Sequence, residues 1–268
     1  METYEDISDC KLQYILLNSD FLKTKFTHDK NLFLYNPPTH EDNDVVFASS
    51  RGGGLQELSG ITCYSTPGAR LSTLVAQAEE YIRSHKNPTG LHVYFVAGLC
   101  DITTKLHHPT LSPPNSMRKS RYQEVIMGET IRHKTDQLKR IYDQAITRMT
   151  PYGARPIFCT IPPCNLLDWN LSRLDKRKTA YLQHVNRYEE MQTNLEEVII
   201  EINRYIWKLN SEVLGSFTPD LTSSMSKKEG GKKRRFFYKR LSDGVHPSQE
   251  LRSAWAVKLQ EAINSNRR

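Results

Sequence analysis

Asp243 and His246 stand three residues apart in the stretch LSDGVHPSQEL, just before an amphipathic segment. On a turn, that spacing lets a carboxylate lie beside an imidazole, fix its tautomer and leave the other ring nitrogen facing a nucleophile. A nucleophile of a suitable kind occurs much earlier, in FASSRGGGLQEL, where Ser49 and Ser50 close an apolar run and three glycines follow Arg51. A serine at a strand-to-helix turn exposes its hydroxyl. Glycines there admit close backbone approach and leave amide N–H groups near a developing oxyanion. The chemistry such groups perform together is acyl transfer: a base activates a hydroxyl, which attacks a carbonyl. Each segment also has a plainer reading, as a Ser/Gly turn that caps a helix and as an Asx turn carrying a surface histidine.

Two further segments carry groups for the same place. STPGARLSTL puts Gly68 in a tight turn with its N–H toward a crevice, and VAGLCDITT puts Gly98, Cys100 and Asp101 just past an apolar run. Taken alone, these are a turn and a core strand followed by an aspartate cap. A reactive cysteine needs electropositive surroundings, which the sequence does not display around Cys100. No Cys/His spacing suggests zinc, and neither a GxGxxG nor a P-loop lysine occurs. A nucleotide-binding domain is therefore disfavoured, and no cofactor is expected.

For these segments to meet, the chain must fold as strands that end at one edge. Four apolar runs read as buried strands: VVFAS at 45–49, ITCYS at 61–65, LHVYFVAG at 91–98 and RPIFCTI at 155–161. Helical periodicity covers 70–85, 122–149 (with Ile126 on its stripe), 185–209 and 248–263. The alternation predicts an α/β fold, a flavodoxin-like doubly wound parallel sheet of about five strands. Its ligand crevice then lies beyond the carboxyl ends of the strands. A Pro-rich stretch at 107–119 and a polar stretch at 214–231 read as loops, the second mobile. Residues 1–43, set off by Pro37 and Pro38, read as an N-terminal arm or extension and a candidate self-association element. The domain proper is 44–268, with a basic loop at 223–240.

At 268 residues with 38% hydrophobic and 25% charged content, the chain has the bulk numbers of one soluble α/β domain with additions. No apolar run approaches the roughly 18 residues of a membrane span, and the start is acidic. The expectation is an intracellular protein, cytoplasmic or nuclear, with no membrane span. Five cysteines, odd in number and mostly within apolar runs, read as free thiols. The net charge of +7 resides in KKEGGKKRRFFYKR at 227–240, because the rest of the chain carries 29 residues of each sign. Its basic residues, among them Lys232, Lys233, Arg234 and Arg235, flank Phe236, Phe237 and Tyr238. That pattern suits a single-stranded nucleic acid, with charge on phosphates and rings on bases. A nuclear-import signal or a solvated loop accounts for it too, and Phe236 and Phe237 also fit the core-facing end of a final strand.

In order and spacing, these segments resemble the SGNH/GDSL hydrolase family. The first block, Gly-Asp-Ser with a glycine four residues on, aligns with Ala48-Ser49-Ser50 and Gly54. The second-block glycine falls on Gly68, the third block (Gly-x-Asn-Asp) on Gly98 to Asp101, and the Asp-x-x-His block on Asp243 and His246. The resemblance spans about 45–263. Within the family, DGVHPS, the RGGG turn and the basic loop look most like hydrolase-like domains of some eukaryotic retroelements, Ngaro-type and LINE-type. The resemblance implies a serine esterase, acetylesterase-like, that acts on an ester through an acyl-enzyme. Ser50 would be its nucleophile, His246 its base and Asp243 the orienter, with the Ser50 hydroxyl within hydrogen-bond reach of His246 or one rotamer away from it. The oxyanion hole would be Ser50, Gly68 and Cys100. Two positions depart from the pattern: Ser49 replaces the aspartate, and Cys100 replaces the asparagine that donates to the oxyanion. A thiol is a poor donor, and losing one such donor costs about 10²–10³ in kcat. These departures leave an alternative open, an inactive SGNH-fold module that binds nucleic acid or protein.

Overall fold

The computed structural model describes residues 43–107, 123–127, 131–173, 184–227 and 235–268. Residues 1–42, and with them the expected N-terminal arm, lie outside the described residues. The chain runs through β1 (Asp44–Ala48), a 3-10 turn at Ser50–Gly52 and α1 (Leu55–Ser59) into β2 (Cys63–Ser65) and α2 (Leu71–Ser84). Next come β3 (His92–Val96), the one-turn α3 (Leu99–Ile102), β4 (Thr104–His107), β5 (Gln123–Ile126) and α4 (Ile131–Met149). The later part holds β6 (Arg155–Phe158), α5 (Leu166–Arg173), α6 (Tyr188–Lys208), the short β7 (Ser226–Lys227) and β8 (Arg235–Phe236), and finally α7 (Gln249–Asn266). None of the described helices is long and apolar enough to cross a membrane.

The expected doubly wound sheet is present: β2, β1, β3 and β6 lie side by side in that order, all parallel. Successive side chains of a strand face opposite ways. Val45, Phe47, Val93 and Phe95 therefore face one core, with α2, α4 and α6, whereas Val46, Ala48, Tyr94 and Val96 face another, with Leu55, Trp255 and Leu259. Cover on both faces is why these strands read as continuous apolar runs. Ser248 caps α7, its hydroxyl accepting from the Leu251 N–H at 3.3 Å.

Three expectations need correction. Among the described residues the parallel sheet has four strands, not about five. The outer edge of β6 is satisfied by side-chain amides instead. Asn210 brackets Phe158 (3.2 and 2.8 Å) and Asn203 brackets Ile161 (2.7 and 3.0 Å), while the Thr160 N–H reaches the Pro219 carbonyl. The stretch after 214, expected to be a mobile loop, is packed as far as its described part goes, with Leu221, Thr222 and Met225 buried. The helix expected from 122 begins at Ile131. Ile126 lies in β5, which pairs antiparallel with β4 and turns the chain after α3 into a hairpin. Asn170 acts as a further strand to that hairpin, accepting from the Val125 N–H at 2.7 Å and donating to its carbonyl at 2.8 Å.

Candidate active site

The histidine turn is built locally and then pressed onto a helix. Asp243 Oδ1 accepts the N–H groups of Val245 and His246 at 3.0 and 2.7 Å, and Oδ2 meets His246 Nδ1 at 2.7 Å. An ionised carboxylate can only accept, so Nδ1 carries the proton and Nε2 of the neutral ring is left as the acceptor. Burial pushes the Asp243 carboxyl up, but the His246 N–H, the His246 ring and the Val245 N–H outweigh it and hold the group below the usual carboxylate range. The two side chains are 33% and 34% exposed, so the pair opens toward solvent. Gly244 makes the turn possible: its φ is +82°, and a Cβ there would strike the Trp169 amide at the start of α5. The Gly244 carbonyl accepts the Asn165 N–H at 2.8 Å.

The serine turn lies at the carboxyl end of β1. Ser49 is buried, its N–H bonded to the Val96 carbonyl and its carbonyl accepting the Ser65 hydroxyl at 3.0 Å. Ser50 opens the 3-10 turn and is half-buried. Gly52 has to be glycine because a Cβ there would overlap the Ala48 side chain. Among the described residues, no hydrogen bond engages the Ser50 hydroxyl or the amide N–H of Ser50 or Gly68. No hydrogen bond joins the Ser50 hydroxyl to His246 among the described residues; contacts of this kind often tighten only with substrate.

Arg51 connects the two turns, a role the sequence reading missed. Its guanidinium donates through Nη1 to the Pro162 carbonyl and through Nη2 to the Pro163 carbonyl at 3.0 Å, and it sits 5.2 Å over the Trp255 ring. Burial pushes Arg51 down to about 10, resisted by Cys164, Cys100 and Asp243 around it. The residue beside Ser50 thus pins its turn to the prolines beyond β6, and two residues later Asn165 holds Gly244. The serine turn and the Asp243/His246 turn share one anchor at the carboxyl end of the sheet. The available signal was an arginine with no acidic neighbour placed beside three glycines in the sequence.

At the remaining positions, Gly68 is exposed with φ +73°, and Gly98 (φ +115°) packs so closely on Ile161 that no Cβ fits. Cys100 is half-buried at α3; burial and Asp101 push its thiol up, against Lys105, Arg51 and Arg70. The Asp101 carboxylate accepts the Leu71 N–H at 3.0 Å, tying α3 to the start of α2. Cys63, Cys159 and Cys164 are buried free thiols, as read from the sequence, and Cys100 is free as well. Among the described residues no group of His, Cys, Asp and Glu could hold a metal ion.

The basic segment is only partly described. Lys232, Lys233 and Arg234 lie outside the described residues, and Arg235 pairs with Lys227 in the β7–β8 hairpin. Its aromatics differ in their surroundings. The Tyr238 hydroxyl donates to Glu196 and accepts from Gln192 at 2.8 Å, Phe236 is half-buried, and Phe237 is 43% exposed. Phe236 and Phe237 do not end a core strand, since this hairpin stands apart from the parallel sheet.

No family model matches the sequence, and no curated protein matches it. Among solved structures the chain is similar to a Bacteroides fragilis protein assigned as an acylhydrolase, with 14% identity and a TM-score of 0.52 over 94% of this chain and 97% of that one. It is also similar to a GDSL-like lipase from Bacteroides thetaiotaomicron, with 12% identity and a TM-score of 0.51 over 92% of this chain and 97% of that one. At such identities the likeness is one of fold: this chain has the SGNH hydrolase fold.

Proposed function

We propose that this protein is a serine ester hydrolase that works through an acyl-enzyme. The observation that carries the reading is the Asp243–His246 pair at 2.7 Å, on a turn that shares the Pro162–Asn165 anchor with the Ser50 turn. Ser50 Oγ attacks the ester carbonyl carbon while its proton passes to His246 Nε2, and the carbonyl π pair moves onto oxygen. The Ser50 and Gly68 N–H groups receive that oxyanion. Collapse expels the alcohol, which takes the proton from His246. Water, activated by the same nitrogen, then releases the acid and restores Ser50. Asp243 holds the ring in the required tautomer throughout. Half-buried Ser50, rather than buried Ser49, is the nucleophile on this reading.

The experiment is labelling with a fluorophosphonate, with Ser50→Ala as control. Labelling of the wild type that vanishes in Ser50→Ala and falls steeply in His246→Ala supports the reading; undiminished labelling of Ser50→Ala overturns it.

A second reading, a module of this fold without activity, draws on Cys100 at the donor position and on the net +7 of residues 227–240. It places the chain in a retroelement of Ngaro or LINE type, where the basic segment binds single-stranded nucleic acid. Residues 1–43 serve as a self-association arm to the domain at 44–268, inside the cell. It is favoured if no variant, Cys100→Asn included, hydrolyses p-nitrophenyl esters.

A further inference from the structure

Cys100 leaves the oxyanion position without a good donor, and another one stands close by. Lys105 lies on β4, and its Nζ is 4.0 Å from the place a Cβ on Gly68 would occupy. It is near Cys100 as well: of the cations that oppose the rise of that thiol, Lys105 comes first, ahead of Arg51 and Arg70. The side chain is exposed, and among the described residues no hydrogen bond or ion pair engages its ammonium.

The backbone beneath it is held firmly. Lys105 pairs with Val125, whose N–H and carbonyl are both taken by Asn170. The neighbouring Glu124 is buried and accepts the Tyr188 hydroxyl at 2.5 Å and the His184 N–H at 3.1 Å. A clamped hairpin thus delivers an ammonium without a partner among the described residues to Gly68 and Cys100, two of the three positions that the hydrolase reading assigns to the oxyanion.

We infer that Lys105 is a catalytic donor of the oxyanion hole, its ammonium replacing the side-chain amide that Cys100 lacks; this rests on the hydrolase reading above. When Ser50 Oγ adds to the acyl carbon, the negative charge forms on the former carbonyl oxygen. The Lys105 ammonium then donates to that oxygen beside the Ser50 and Gly68 amides. No proton leaves Lys105, since its part is charge-assisted hydrogen bonding, stronger than a thiol provides.

The test measures kcat and KM for p-nitrophenyl acetate, with fluorophosphonate labelling and melting temperature, in wild type, Lys105→Met, Lys105→Arg, Cys100→Asn and the Lys105→Met/Cys100→Asn double variant. Lys105→Met should lower kcat about 10²-fold with little change in KM or melting temperature, and Lys105→Arg should keep part of the rate. Cys100→Asn should raise kcat far more in the Lys105→Met background than in the wild type, because the two groups serve the same oxygen. A labelled, active wild type whose kcat is unchanged in Lys105→Met overturns this inference alone. So does a Cys100→Asn gain equal in both backgrounds, or an effect on KM only, which would make Lys105 a substrate-charge contact. A wild type that neither labels nor hydrolyses overturns the hydrolase reading and this inference with it.

Discussion

Replacing Arg51 with methionine tests whether the anchor of the serine turn matters to chemistry or only to the fold. The guanidinium is buried, and its displacement from the ordinary arginine value to about 10 corresponds to about 3 kcal/mol against the charged form. Two hydrogen bonds from a charged donor to the Pro162 and Pro163 carbonyls return roughly 1.5–3 kcal/mol each. The contact with Trp255 adds about 1–2 kcal/mol. The penalty cancels much of the gain, leaving a net of about 1–5 kcal/mol, so Arg51→Met should fold and melt several degrees lower. Its effect on Ser50 should be larger. With both carbonyls released the turn shifts, and a displacement near 1 Å costs about 10²-fold in rate. Arg51→Lys should fall between, because an ammonium cannot span two carbonyls as a planar fork does. The assay pairs the rate of fluorophosphonate labelling with the melting temperature. An Arg51→Met protein that melts lower yet labels at the wild-type rate refutes the argument, since the fold would then need Arg51 and the Ser50 turn would not.

Gly244→Ala should lower hydrolysis at least about tenfold, because φ +82° strains any L-residue and the new Cβ strikes α5. Gly60→Ala is the control, with φ +67° and open space around it, and should cost stability without changing the rate; equal rate losses in the two would remove the Asp243/His246 turn as the cause. Burial raises the Asp101 carboxyl to about 6, against the Leu71 N–H, Arg70 and Lys134. A carboxyl raised above its unfolded value contributes stability that is complete below about pH 4 and is lost as pH rises through about 6, roughly 3 kcal/mol in all. Asp101→Asn should flatten that part of the dependence of melting temperature on pH, and identical slopes in the two proteins would clear Asp101. If the basic segment binds single strands, neutralising Lys232, Lys233, Arg234 and Arg235 should reduce the log–log salt slope by up to about 3, at roughly 0.7 per phosphate contact. An unchanged slope and affinity would exclude the segment.

Much of the parallel sheet is legible in the sequence because its strands are buried on both faces and therefore read as unbroken apolar runs. The Asp243–His246 pair is legible for another reason. Its geometry is set within three residues, by a turn whose N–H groups close on the same carboxylate. What joins these parts depends on partners far apart in the chain. Arg51 meets Pro162 across 111 residues, and Asn210 replaces a strand edge across 52. Local periodicity carries no trace of such contacts, so Arg51 reads as a turn residue and the stretch after 214 as a loop. The β4–β5 hairpin was hidden for the same reason: Gln123–Ile126 continues the apolar spacing of α4, and what makes it a strand is pairing with β4 and the amide of Asn170. Sequence pattern reports which residues must leave water. Which distant groups then satisfy their polar atoms, and so where Lys105 and Arg51 come to stand, is settled by packing.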